Sequence, residues 1–245
     1  MIGGFIIRGN ANKPVVIRGL GPSLVDFNVP GDTVLNDPVL ELRAPDGTVI
    51  LSNDDWEDSP QKSQIEGTIF EPTDSREAVI LATLAPGAYT AILSGAGQTN
   101  GVGLVEVYDN DSGVDSDLAN LSTRGFVQVA DEVMIGGFTL GGNNNPATIA
   151  VRALGPSLIN AGLTDLLEDP TLELYNANGT IMISNDNWTD DTQSAADLAA
   201  HGLALPNLKE SGIFTNLAPP GQFTAIVAGK DGGIGIALIE IYDIR

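Results

Sequence analysis

The stretch Leu118–Phe138, LANLSTRGFVQVADEVMIGGF, decides how this chain is read. Its end, Met134-Ile135-Gly136-Gly137-Phe138, restates the opening Met1-Ile2-Gly3-Gly4-Phe5, and from there the second half of the chain follows the first. Ahead of Met134 lies a strand-like segment, Arg124–Ala130, with no counterpart ahead of Met1. The chain is therefore two copies of one module, and the first copy begins one strand late.

Working outward, PVVIRGLGPSL (Pro14–Leu24) is matched by TIAVRALGPSL (Thr148–Leu158), with the same Gly-Pro-Ser-Leu turn after the same apolar run. VLELRA (Val39–Ala44) and TLELYNA (Thr171–Ala177) alternate polar and apolar residues and lead into Asp46-Gly47 and Asn178-Gly179. Such pairs between alternating runs mark hairpins, because the turn needs a residue that accepts positive φ. The returning strands end at Trp56 and Trp188. The copies then diverge, Glu57–Ser75 against Thr189–Asn207; SAADLAAHGLAL in the second reads as a short helix, and the region as a variable loop. Similarity resumes at Glu77 and Glu210. AVILATL, GAYTAILSG and GVGLVEVYD follow in copy one, and SGIFTNL, GQFTAIVAG and GIGIALIEIYD in copy two.

Period-2 alternation with regular turns predicts an all-β fold of two tandem homologous antiparallel β-sandwiches, jelly-roll or immunoglobulin-like. The expected division is 1–111, a polar joint at 112–117, and 118–245. A repeat this long is a duplicated domain rather than a solenoid unit, and each copy is long enough to bury its own core.

Thirty-two acidic residues against eleven basic ones give a formal charge of −21. Nucleic acid and anionic membrane surfaces would repel such a chain. No cysteine is present, so disulfides and thiolate metal sites are excluded. No apolar run approaches the ~20 residues of a membrane helix, so membrane insertion is not expected. Gly3, Gly4 and Arg8 interrupt the first apolar stretch, unlike a signal peptide.

Asn53, Asp54, Asp55 and Asp58 cluster after the first hairpin, and Asn185, Asp186, Asp190 and Asp191 echo them. Calcium takes six to eight oxygens from such groups on a flexible loop, so these are the candidate metal ligands, although the EF-hand spacing is missing. The second set is the weaker, since Asn187 replaces Asp55. Trp56 and Trp188, beside these loops, are candidate sugar-binding residues if they are exposed. Arg18 and Arg152 sit amid apolar neighbours, as do Glu106 and Glu240. Structural ion pairs would satisfy these charges, with Asp37 or Asp169 as the other candidate partner. His201 occurs in one copy only and suggests no triad. Nothing marks an enzyme.

Together LANLSTRGFVQVADEVMIGGF, VRALGPSL, DPTLELYNANGTIMISNDNW and LAPPGQFTAIVAGKDGGIGIALIEIYD resemble a tandem β-sandwich repeat of large secreted and surface proteins of environmental bacteria. LELRAPDGTVILSNDDW followed by LAPGAYTAILSG is similar to bacterial pre-peptidase C-terminal domains. The resemblance implies an extracellular, non-catalytic sandwich whose Asp-rich loop holds calcium. Two functions are expected from all of this. One is a structural surface or matrix module that polymerises head to tail by inter-subunit strand complementation, or docks on other copies of the module. The other is a calcium-dependent adhesion module that binds carbohydrate.

Overall fold

The computed structural model describes residues 1–130, 132–141 and 145–244. Asp131 of the opening stretch and Gly142–Asn144 of the second copy's polar turn lie outside them. The chain divides into two compact units, Met1–Ala119 and Asn120–Arg245.

The first unit contains β1 (Ile2–Gly9), β2 (Lys13–Leu20), β3 (Pro38–Arg43), β4 (Val49–Asn53), the short helix α1 (Lys62–Ile65), β5 (Ala78–Leu84), β6 (Gly87–Gly95) and β7 (Leu104–Asp109). One layer runs β4-β3-β6-β1 and the other β5-β2-β7, with antiparallel registers throughout. β8 (Ser116–Val127) gives its first four residues to this unit and the rest to the second. The second unit continues with β9 (Met134–Leu140), β10 (Ala147–Leu154), β11 (Pro170–Asn176), β12 (Ile181–Asn185), α2 (Thr192–Ala200), β13 (Ser211–Leu217), β14 (Gly221–Gly229) and β15 (Gly235–Ile244). Its layers are β12-β11-β14-β9 and β13-β10-β15-β8. Ser116 and Asp117, read from sequence as part of a polar joint, are thus already strand.

Alternation builds both cores. Phe5, Ile7, Val15, Ile17, Leu40 and Leu42 point between the layers of the first unit. Ile149, Val151, Leu172, Leu174 and Ile239 do so in the second, where Val127 of β8 joins them. Each such side chain contributes about 1.5–3 kcal/mol on leaving water. Gly47 and Gly179 sit in the hairpin turns at φ 84° and 72°, where a side chain would be strained.

β2 and β10 are buried on both faces. The divergent segments explain this, for they fold back over the outer face. Ile65 of α1 packs with Val16, Trp56 and Val79, and Leu198 of α2 packs with Ala150, Leu154 and Leu205. Asp191 caps α2, accepting the N–H groups of Gln193 and Ser194. The region read as a variable loop is therefore a cover whose sequence differs while its task is kept.

The Gly-Pro-Ser-Leu turn after β2 and β10 is held by a buried carboxylate. Glu77 Oε1 accepts Gly21 N (2.9 Å), Ser23 N (2.9 Å) and Ser23 Oγ (2.6 Å). Glu210 Oε1 accepts Gly155 N (3.1 Å), Ser157 N (2.9 Å) and Ser157 Oγ. The turn glycines are fixed by close approach: a Cβ on Gly21 would lie 1.9 Å from Leu35 O, and one on Gly155 2.0 Å from Leu167 O.

Candidate functional site

Arg18 of β2 faces Glu106 of β7, with Nε 3.1 Å from Oε2. Arg152 of β10 grips Glu240 of β15 with two nitrogens, and its Nη1 donates to Leu203 O at 3.0 Å. Tyr108 donates its hydroxyl to Glu106 at 2.9 Å and Tyr242 its own to Glu240 at 3.0 Å. Burial, with the glutamate beside them, pushes both phenols up to about 12. The partner of each arginine is the glutamate across the ladder, and Asp37 and Asp169 lie elsewhere.

Asp37 instead meets Asp54 and Asp55, with a carboxylate oxygen of each within 4.8 Å of the others. Burial raises the Asp54 carboxyl above its ordinary range, and the charges of Asp37 and Asp55 add to this. Asp55 is raised by burial, then by Asp37 and Asp58, against a smaller opposing pull from Arg76. Arg76 is itself held by Asp74, at 2.9 and 2.8 Å.

The remaining candidate ligands have other tasks. Asn53 spans the hairpin end, its Nδ2 donating to Asp55 O and its Oδ1 accepting Val79 N. Asn185 does the same between Asn187 O and Gly212 N. Asp191 is the α2 cap, Asp190 accepts from Asn187 Nδ2 at 3.3 Å, and Asp58 lies outside the triad.

The second unit's equivalent of the triad is arranged differently. Lys230 Nζ donates to Asp186, and Lys209 lies 3.6 Å from Asp169. Ala96 takes the place of Lys230 in the first unit, since Ala96 N donates to Asp37 O as Lys230 N donates to Asp169 O. The second unit thus supplies two ammonium groups to two carboxylates. The first sets three carboxylates together and turns its arginine toward Asp74.

Trp56 is 5% exposed and belongs to the cluster over β2. Trp188 is half-buried against the α2 cluster, and both indole nitrogens are enclosed. Trp56 offers no open ring face for sugar stacking, which corrects the expectation of an exposed ring there. His201 stacks on Phe214 at 4.9 Å, and its Nδ1 lies 2.8 Å from Asp197 O.

One edge differs between the units. In the second, β15 pairs on one side with β10 and on the other with β8, from Gly235↔Val127 to Tyr242↔Asn120. In the first, β7 pairs with β2 and, among the described residues, ends its sheet. Ile239 and Ile241 of β15 are 1% and 5% exposed, whereas Val105 and Val107 at the matching places on β7 are only half-buried. Leu104 and, just before the strand, Val102 are 38% and 44% exposed. The sequence alone did not show that, among the described residues, β7 has a single partner.

No family model matches the chain, and no curated protein sequence does. Among solved structures it is similar to the major capsid protein P2 of bacteriophage PM2, at 8% identity and TM-score 0.25 over 100% of this chain and 92% of that one. It is similar to the STIV MCP at 11% identity and TM-score 0.27, covering 99% and 91%. It is also similar to tandem CBM51 modules of a family 98 glycoside hydrolase from Streptococcus pneumoniae, at 10% identity and TM-score 0.25, covering 98% and 81%. Likeness at this level assigns no function.

Proposed function

We propose that the chain is a non-catalytic structural β-sandwich module of a bacterial surface or extracellular matrix, and that it associates head to tail. A strand of one molecule would complete the open sheet of the next. The bare edge of β7 carries this reading, because an unpaired row of N–H and C=O groups over half-covered valines is a template for another strand. A heterologous contact that does not close on itself builds a filament. Negative-stain electron microscopy of the purified chain at neutral pH tests it. Filaments with a regular subunit repeat are expected, and monodisperse monomers at every attainable concentration would overturn it.

A second reading, calcium binding in the first unit, is favoured by the Asp37, Asp54 and Asp55 triad, which has no lysines like those that serve its counterpart. The raised carboxyls of Asp54 and Asp55 weigh against the fold above their folded values, and that penalty is gone below the ordinary 3.8. A bound cation would remove it at neutral pH. Calcium should then raise the melting temperature of the first unit, as any ligand of the folded state does. Asp55→Asn should raise the melting temperature in chelator and abolish the response to calcium. A melt unchanged across a calcium titration would retire this reading.

A further inference from the structure

We infer that the outer edge of β7 is an antiparallel acceptor for one kind of occupant, an extended segment of the Asn120–Val127 pattern carried by another polypeptide. The inference rests on the proposed self-association and specifies its acceptor. The second unit shows the occupied form of this edge. There β8 lies against β15 with Leu121, Thr123, Gly125 and Val127 opposite Ile241, Ile239, Ala237 and Gly235. Those four β15 residues are buried, and Val127 is wholly so.

The register transfers because the two edges are built alike. Arg18↔Glu106 on β2 and β7 matches Arg152↔Glu240 on β10 and β15. The bridges Val34↔Val102 and Leu166↔Ile236 fix the neighbouring loops in the same way. An incoming segment would thus set its leucine opposite Val107 and its threonine opposite Val105. Its serine would fall opposite Glu106, as Ser122 does opposite Glu240.

The edge lacks two of the usual protections, proline and a bulge. β7 has no proline, and its ladder with β2 runs from Val15↔Asp109 to Leu20↔Leu104 without a register shift. Charge also suits this occupant. Leu118–Ala130 holds Arg124 and no acidic residue, in a chain of net charge −21. A basic apolar strand is drawn to an acidic sandwich that repels most of the chain's other segments.

The test uses the full chain and a capped, fluorescent peptide, LANLSTRGFVQVA. Saturable binding is expected, with hydrogen-exchange protection gained at Leu104–Tyr108. Leu121→Asp in the peptide, which puts a charge on the inward face, should weaken binding by at least about tenfold. Phe126→Ser, on the outward face, should leave it nearly unchanged. Absence of saturable binding, equal tolerance of both peptide variants, or protection at another strand would overturn the inference. Filaments formed by a chain that ignores the peptide would sink the acceptor and leave the self-association standing. Peptide capture by a chain that never assembles would do the reverse.

Discussion

Glu77→Ala should cost the first unit about 4 kcal/mol, and Glu210→Ala should cost the second a similar amount. One oxygen of Glu77, on a residue with no exposed surface, takes the N–H groups of Gly21 and Ser23 and the Ser23 hydroxyl. A methyl group leaves both backbone donors without an acceptor, at roughly 1–3 kcal/mol each, and a void about the size of the lost carboxyl adds to this. Set against a domain stability of about 5–15 kcal/mol, the loss leaves the unit marginal. The turn cannot rescue itself by shifting, because Gly21 is already pressed on Leu35 O. Each unit holds one tryptophan, so urea melts of Trp188→Phe chains report the first unit alone. A loss below about 1 kcal/mol would mean that water replaces the carboxylate without penalty.

The second large effect is an asymmetry between two partners of one ion pair. Lys13 has no exposed side-chain surface, while Asp109 is 31% exposed. The ammonium donates to both Asp109 oxygens, at 2.9 and 2.8 Å, and to Asp111 O at 2.8 Å. Asp109→Ala strands a buried charge and should cost about 3–5 kcal/mol. Lys13→Met leaves a carboxylate that water still reaches and keeps the apolar stem, so its cost should stay near 1 kcal/mol. Equal losses for the two would show that lysine and aspartate bear the desolvation alike, against the asymmetry expected from their exposures. The same urea melts decide it.

The parts of this fold that local chemistry controls were legible. Asp46-Gly47 and Asn178-Gly179 announce their hairpins, and period-2 alternation gives the seven and eight strands of the two units with ends correct to a few residues. β8 was read too short because Ser116–Ala119 carry no alternating signature and take their place from the first unit's core, against which Leu118 packs. Asp37 was missed as the third member of the acidic triad because sixteen residues of chain lie between it and Asp54. Only the folded loops bring them together. Glu77 and Glu210 were visible as a recurrence, and an isolated glutamate before an apolar strand in both copies was the available signal. Its meaning depended on the Gly-Pro-Ser turn, more than fifty residues away. Lys13 gave no signal at all, since Ala147 stands at its place in the second copy.

The exchange of Ala96 for Lys230 sets the two halves of the chain in different relations to their surroundings. A tethered ammonium is present at an effective concentration fixed by its own four-carbon stem, whatever the medium contains. The second unit therefore carries its counter-ion as inheritance, and dilution or chelation leaves it in place, while salt only screens the exposed pair. On the proposed calcium reading, the first unit would draw its counter-ion from solution and be stabilised only as far as the solution provides. In water whose mineral content varies, that reading would make one half of the molecule a constant and the other a gauge. Ala96→Lys would be the shortest route from gauge to constant.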